Sequence, residues 1–319
     1  MLSAIDRSPD LHLVARTYAE GVYQGRHRTR DRGSSTEFYD YRAYTPGDPT
    51  QLIDWRLYGR TDRLYIRRFQ QESQLTVLLV VDGSASMYFG GVAWARQPAD
   101  SRDMSATKFR RACEFAATLA YMTIRQGDRV GLVLSGVETE AGPVPADRPI
   151  AVPPATGWMT LNSIIRALET ARPRRPKTGP GTALTEGFEF VDHLMRGGGL
   201  IIGIGDGLEQ PDALLPAMSR ARWPRGGGTA GRQREVSLLQ VLTHDELDIR
   251  DLGGARLVDT ETGVQVRTHS DQIHASYRKQ IEAHQRRLSI GVSSMHGRHH
   301  VCITSHPPVD QLRAFLAGR

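Results

Sequence analysis

The sequence contains few of the residues and runs by which many proteins are recognised. Its only two cysteines, Cys113 and Cys302, are far apart and in no metal or redox spacing, so neither a disulfide framework nor a CxxC site is supported. No stretch approaches the roughly 18 uninterrupted apolar residues of a membrane span, and the N-terminus lacks the basic start and apolar core of a signal peptide. We therefore expect a protein of the cytoplasm that is neither exported nor anchored to a membrane.

Several catalytic motifs are also missing. Because the Walker A pattern GxxxxGK[ST] is absent, any ATP hydrolysis must come from a partner. There is no GxSxG nucleophile elbow. Histidines crowd the segment "MHGRHHVCITSH", but a strand alternates its faces, so the adjacent His299 and His300 cannot both point inward. No HExxH or paired CxxC pattern accompanies them, which argues against a zinc site.

The bulk composition is that of an ordinary soluble protein. The chain has 319 residues, of which 39% are hydrophobic and 24% charged, enough for one large α/β domain with an extension or for two modest domains. A formal net charge of +6 favours acidic partners. Because excess arginine is more often a solvated surface, specific nucleic-acid binding is not expected.

The periodicity of the sequence changes near residue 74. Residues 9–20 have helical spacing, and Gly25 to Phe69 is rich in turn and strand formers, with "TPGD" predicted as a type I or II turn. We therefore predict an N-terminal helix and β-rich extension over residues 1–73 and a main domain over residues 74–319. Trp55 is interpreted as packing between the two, with Arg56 or Arg60 paired to Asp48 or Asp54. A partner-facing Trp55 is the alternative.

In the main domain, predicted strands alternate with predicted helices. "LTVLLVV" is typical of a strand buried on both faces, and Lys108 to Gln126 places Phe109 and Cys113 on one apolar helical stripe. "GLIIGIGD" is a further strand. This alternation predicts an α/β fold with a doubly wound, mostly parallel sheet.

Oxygen-bearing side chains follow the predicted strands at three loops. The first loop contains Asp82, Ser84 and Ser86, the second contains Thr182 near the start of a helix, and the third contains Asp206. Ligands of doubly wound sheets bind outside the carboxyl ends of the strands, where these loops would meet. Hydroxyl and carboxylate oxygens suit a hard cation such as Mg²⁺, which takes about six oxygen ligands. An open position on the ion would favour a carboxylate from a partner.

These three loops resemble the metal-ion-dependent adhesion site of von Willebrand factor A-like domains. In such a site DxSxS follows an apolar strand, a threonine follows a glycine-rich turn, and Asp-Gly ends a later strand. By that resemblance Asp82, Ser84, Ser86, Thr182 and Asp206 are the metal-binding residues.

The segment ahead of the first loop carries a second resemblance, to the bacterial family called domain of unknown function 58. The matching elements are Glu37-Phe38, Arg42, Tyr44, Pro46-Gly47-Asp48, Ile53-Asp54-Trp55, Arg60, the helix "KFRRACEFAATLA" and "GDRVGL". Members often carry N-terminal membrane helices, and this sequence departs from that. Relatives are typically encoded beside MoxR-type AAA+ ATPases, which implies an accessory role in assembling or remodelling protein complexes.

The resulting hypothesis is a non-enzymatic protein-interaction module. Magnesium at the five predicted residues would dock an acidic residue of a partner, namely a MoxR-type AAA+ ATPase and its target complex. The alternative is a metal-dependent hydrolase that uses the same cluster, with Ser84 or Ser86 as nucleophile or Asp82 as an attacking carboxylate. The sequence fixes neither the target complex nor the oligomeric state.

Overall fold

A computed structural model describes residues 10–24, 38–48, 50–69, 74–98, 101–139, 142–145, 148–173, 183–223, 233–247, 256–258, 265–267 and 271–317. Its α-helices are α1 (Leu11–Gln24), α2 (Trp55–Thr61), α3 (Val92–Ala95), α4 (Lys108–Arg125), α5 (Trp158–Thr170), α6 (Ala183–Leu194), α7 (Pro211–Ala221), α8 (His244–Leu247), α9 (Asp271–Ser294) and α10 (Pro308–Ala317). Its strands are β1 (Phe38–Ala43), β2 (Tyr65–Phe69), β3 (Thr76–Asp82), β4 (Arg129–Ser135), β5 (Val137–Thr139), β6 (Gly142–Pro143), β7 (Ile150–Ala155), β8 (Arg172–Pro173), β9 (Gly199–Gly205), β10 (Arg234–Leu242), β11 (Arg256–Val258), β12 (Gln265–Arg267) and β13 (His299–Ile303). None of the helices in these ranges is both long and apolar enough to pass through a bilayer.

The central sheet has six strands in the order β13-β10-β9-β3-β4-β7. All neighbouring pairs are parallel except β4 and β7, which are antiparallel. The predicted α/β fold with a mostly parallel sheet is therefore confirmed. Strand β7, "IAVPPA", is not among the predicted strands. Its two prolines lack the N–H that a central strand needs, and they are tolerated because β7 lies at the edge of the sheet.

Both faces of the sheet are covered, because its strands are apolar on both sides. Along β3, Val77, Leu79 and Val81 face a core shared with α1, α4, α5 and α10. Leu78 and Val80 face a second core shared with α6, α7 and α9. Burial of β3 on both faces, predicted from its uninterrupted apolar sequence, is confirmed.

The chain divides into two compact units, and the N-terminal helix belongs to the larger one. Met1–Arg26 clusters with Leu75–Arg319, and His27–Gln74 forms the second unit. In α1, Leu11, Val14 and Tyr18 are fully or almost fully buried in the core that contains α4. The predicted grouping of this helix with the extension is corrected accordingly. The apolar stripe of α1 is buried in the core of the main unit. An amphipathic helix packs where its apolar stripe is buried, so α1 belongs to this unit.

The small unit contains a helix as well as strands. Strands β1 and β2 pair antiparallel, and the predicted turn at Thr45–Asp48 is confirmed by a 3.0 Å hydrogen bond from the Asp48 N–H to the Thr45 carbonyl. Gly47 has a φ of +109°, as the third position of a type II turn requires. The predicted β-rich extension is thus of mixed structure.

The ion pair made by Asp48 differs from the one predicted beside Trp55. Arg42, not Arg56 or Arg60, pairs with Asp48 at 2.7 Å. Asp54 caps α2 by accepting hydrogen bonds from the backbone N–H groups of Arg56 and Leu57. Such N-capping satisfies donors that the helix cannot. Trp55 itself is largely exposed and meets the ring of Tyr58 edge-on.

Helix α4 begins at a capping threonine that fixes the position of its first residue, Lys108. The Thr107 hydroxyl accepts a 3.2 Å hydrogen bond from the Arg110 N–H. We expect Thr107→Ala to lower the free energy of unfolding by about 1 kcal/mol. Urea unfolding followed by circular dichroism measures this. Thr170→Ala, which removes an exposed hydroxyl bonded within α5, is the matched control, and equal stability of the two variants would contradict the capping role.

Candidate functional site

The first loop of the site begins where β3 ends. Asp82, the last residue of β3, is completely buried. Its Oδ1 accepts a 2.8 Å hydrogen bond from the backbone N–H of Ser84, whereas its Oδ2 is buried with no hydrogen-bond partner among the described residues. The hydroxyl oxygens of Ser84 and Ser86 lie 3.0 Å apart. The turn therefore places two hydroxyls beside a half-satisfied buried carboxylate.

The electrostatics of Asp82 disfavour its charged form in the protein alone. Burial raises the pKa of Asp82 well above its ordinary value, and the charges of Asp206 and Glu209 raise it further. Hydrogen bonding by the backbone and side chain of Ser84 lowers the pKa of Asp82 but does not compensate for these effects. A cation beside Asp82 would favour the carboxylate, because an opposite charge offsets the cost of desolvation.

The third predicted loop meets the first because β9 is the neighbour of β3 in the sheet. Val81 pairs with Ile204 in parallel register. Asp206, which follows β9, therefore lies at the same carboxyl end of the sheet as Asp82, the last residue of β3. Gly205 permits the close approach, since a Cβ atom there would lie 2.4 Å from the Cβ of Asp82. The hydroxyl of Ser86 contributes to lowering the pKa of the Asp206 carboxylate. The structure thus brings Asp82, Ser84, Ser86 and Asp206 together.

Asp206 differs from Asp82 because a buried ammonium compensates its charge. The Nζ of Lys108 lies 2.8 Å from Asp206 Oδ2 and 2.5 Å from Glu246 Oε1. Burial alone would raise the pKa of Asp206, but the charge and hydrogen bond of Lys108, together with Ser86 and the Leu208 N–H, lower it below its ordinary value. Asp206 is therefore held as a carboxylate.

Thr182, the remaining predicted ligand, lies outside the described residues. The described chain resumes at Ala183, which opens α6. The Ala183 carbonyl accepts a 2.5 Å hydrogen bond from Ser135 Oγ, and Ser135 pairs with Asp82 across strands β4 and β3. The start of α6 is thereby fixed next to the strand that carries Asp82.

Glu209 joins the start of α6 to the loop of Asp206. Its carboxylate accepts a 2.6 Å hydrogen bond from the Leu184 N–H and further bonds from the N–H and hydroxyl of Thr185. Burial raises the pKa of Glu209 to about 7, although these hydrogen bonds oppose the shift. Glu209 is thus a buried acid that positions two of the three loops.

Polar side chains of strands β10 and β13 form a hydrogen-bonded network that supports the Asp206 loop. The amide Nε2 of Gln240 donates to the Asp206 carbonyl at 2.7 Å, and His299 Nε2 lies 2.9 Å from Gln240 Oε1. Burial, with the neighbouring His300 and His284, lowers the pKa of His299 to about 4, so its imidazole is neutral. His300 instead lies near Phe315. The two adjacent histidines therefore face different neighbours, as strand alternation predicts.

The donor set fits a hard cation better than a soft one. Asp82 and Asp206 offer carboxylate oxygens, and Ser84 and Ser86 offer hydroxyl oxygens, which are the ligands that Mg²⁺ takes. Within the described ranges no group of three or more His, Cys, Asp or Glu side chains is placed to hold a metal. A site here therefore depends on the hydroxyls and on the unpartnered Asp82 Oδ2.

Lys108, Glu209 and Glu246 lie at the candidate site but are not among the residues predicted from the sequence. One signal for Lys108 was present, because it opens α4, where the helix dipole disfavours a positive charge and a compensating acid is to be expected. Glu209 lies three positions after Asp206 in "GDGLEQ", a spacing that by itself indicates nothing. For Glu246 the sequence contains no comparable signal.

Fold and site together define a class: an α/β protein whose doubly wound sheet gathers carboxylates and hydroxyls at the carboxyl ends of its strands. The family model described as "Protein of unknown function DUF58" matches residues 40–287, which is most of the chain. The chain belongs to this family, and the resemblance stated from its motifs is confirmed.

Two mycobacterial proteins that are similar to this chain are described as uncharacterized. An uncharacterized protein of Mycobacterium tuberculosis strain ATCC 25618 / H37Rv is 26% identical over 255 residues, covering 80% of this chain and 70% of that protein. An uncharacterized protein of Mycobacterium bovis matches to the same extent.

Two solved structures show limited similarity of fold. BatB from Bacteroides thetaiotaomicron, a conserved hypothetical protein, has a TM-score of 0.43 at 15% identity and covers 76% of this chain and 98% of its own. The SpRpn10 VWA domain has a TM-score of 0.36 at 9% identity and covers 75% of this chain and 94% of its own.

Proposed function

We propose that this chain is a non-enzymatic, cytoplasmic docking protein that binds a divalent cation, with Mg²⁺ preferred. The ion would be held by Asp82, Ser84, Ser86, Thr182 and Asp206, and it would supply an electrophilic position for an acidic side chain of a partner protein. The protein's own residues fix the ion at the sheet edge and leave part of its coordination open. Ser86 is partly exposed, so a partner can reach the site.

The observation that carries the proposal is the state of Asp82. A completely buried carboxylate with one oxygen lacking any described hydrogen-bond partner is costly unless a cation compensates it. Lys108 does not serve this purpose, because its ammonium contacts Asp206 and Glu246. A hard cation beside the Ser84 and Ser86 hydroxyls satisfies both the charge and the free oxygen.

Magnesium titration of the wild type and Asp82→Asn tests the metal site. We expect binding heat in the wild type and none in the variant. At a hundredfold excess over Kd the ion should stabilise the wild type by about 2.7 kcal/mol and leave the variant unchanged. Without metal, Asp82→Asn should be at least as stable as the wild type, because the charged form of Asp82 is disfavoured there and asparagine is neutral at every pH. Equal heats, or none in either protein, would overturn the proposal.

For the partner, the family resemblance supports a MoxR-type AAA+ ATPase. Purified ATPase from the same organism should bind the wild type in magnesium and lose at least about tenfold in affinity with chelator or with Asp82→Asn. Binding that is indifferent to both changes would contradict metal-assisted docking.

A metal-dependent hydrolase remains the competing outcome. A screen against phosphate esters and peptides separates the two functions. Turnover that Ser84→Ala abolishes would establish catalysis and replace the docking proposal.

A further inference from the structure

Lys108 brings a positive charge of the protein itself into the candidate metal site. Its side chain is fully buried, and its Nζ contacts Asp206 at 2.8 Å and Glu246 at 2.5 Å. Two carboxylates at hydrogen-bonding distance favour the charged form of this side chain, so the group is an ammonium. The site therefore contains a resident cation before any metal binds.

Resting on the proposed function, we propose that Lys108 sets the cation affinity of the site. Its ammonium engages Asp206 and leaves Asp82 as the carboxylate available to a divalent ion. Both oxygens of Asp206 are already used, Oδ2 by Lys108 and Oδ1 by the Leu208 N–H at 3.1 Å. By contrast, Asp82 Oδ2 has no partner in the described structure.

This division of the two carboxylates has a physical consequence for the bound ion. The ammonium repels a divalent cation and competes with it for Asp206, so binding is weaker than two free carboxylates would give. Because Asp206 is shared with the ammonium, it neutralises less of the charge of a bound ion, and the ion keeps a larger net positive charge. It consequently attracts an acidic group of a partner more strongly, which is what docking requires.

Glu246 limits how completely Lys108 engages Asp206. Its Oε2 accepts a 2.7 Å hydrogen bond from the Thr243 N–H, and its backbone carbonyl accepts one of 2.7 Å from the Tyr277 hydroxyl. Glu246 is thus fixed by α8 and α9 independently of Lys108. If its charge is removed, the ammonium is left to Asp206 alone.

Magnesium affinities of four proteins, measured by calorimetry, test this role. We expect Lys108→Met to lower the Kd at least about tenfold, because Asp206 becomes free to bind the ion. Glu246→Gln should raise the Kd about threefold, because Lys108 then pairs with Asp206 alone and competes more strongly with the ion for that carboxylate. The double variant Lys108→Met/Glu246→Gln should still bind more tightly than the wild type. Because the double variant leaves no unpaired charge at Glu246, it can be used to test the role of Lys108 if the single variant Lys108→Met does not fold.

Asp82→Asn in each background separates this inference from the proposed function. If Asp82-dependent binding occurs in the wild type with an unchanged Kd in the Lys108 and Glu246 variants, Lys108 is merely structural and only this inference fails. If no background shows Asp82-dependent binding, both fail. Binding that appears only after Lys108 is replaced supports the inference, since the ammonium then excludes the ion.

Discussion

Gly205→Ala is expected to lower the free energy of unfolding by about 3 kcal/mol and to weaken magnesium binding at least about tenfold. The added Cβ would lie 2.4 Å from Asp82 Cβ and 2.8 Å from Asp82 Oδ2. These atoms belong to a short buried side chain on the neighbouring strand, so the clash cannot be relieved by rotating a flexible end. Strands β3 and β9 must separate, and the carboxylate must leave its position.

Gly197→Ala provides a matched control in the same unit, because nothing lies within 4 Å of the Cβ that it would add. Denaturant unfolding and magnesium calorimetry on both variants give the comparison. If Gly205→Ala unfolds at the same denaturant concentration as Gly197→Ala, the close approach of β9 to Asp82 is wrong. A folded Gly205→Ala with unchanged magnesium affinity would show that Asp82 does not hold the ion.

The second large effect concerns pH and Glu209. Its pKa is about 7 in the folded protein, against an ordinary value of 4.5. Between these pH values the folded state keeps a proton that the unfolded chain has lost, so raising the pH destabilises the fold by about 1.4 kcal/mol per unit. This loss of folding stability is absent below pH 4.5 and complete above pH 7, where it amounts to about 3 kcal/mol.

Glu209→Gln should remove this dependence. The stability of the wild type minus that of the variant, measured by urea unfolding in chelator, is expected to fall by about 3 kcal/mol as the pH rises through this interval. Glu189→Gln is the control, because Glu189 is an exposed carboxylate of α6 paired with Arg220. Glu209→Gln also alters hydrogen bonds, which changes its stability by an amount that does not depend on pH. If the stability difference between the wild type and the variant stays constant with pH, the raised pKa of Glu209 is contradicted.

The contrast between the two aspartates bears on how the site would work. Burial and neighbouring acids raise the pKa of Asp82, whereas Lys108 lowers the pKa of Asp206 below its ordinary value despite burial. The protein therefore stabilises the charged form of one carboxylate, whereas an external cation would be required to stabilise the charged form of the other. Such a site can distinguish the metal-bound from the metal-free state, which suits docking that depends on an ion.

Much of the fold could be predicted because burial leaves a local pattern. The uninterrupted apolar run of β3 indicates a strand covered on both faces, and the apolar stripe of α4 indicates one helical face in the core. The association of α1 with the main unit left no comparable pattern. Its apolar stripe shows that the helix is buried somewhere but not against which surface, and its partners in α4 are remote in sequence.

The sequence by itself determined the candidate ligands Asp82, Ser84 and Ser86, because they share one turn and their spacing survives in any fold that ends a strand there. Only the tertiary structure decided what surrounds them. Lys108 meets Asp206 across 98 positions and Glu246 across 138. Charge pairing at such separations depends on which loops share a sheet edge, and that is fixed by strand order, which no local pattern encodes.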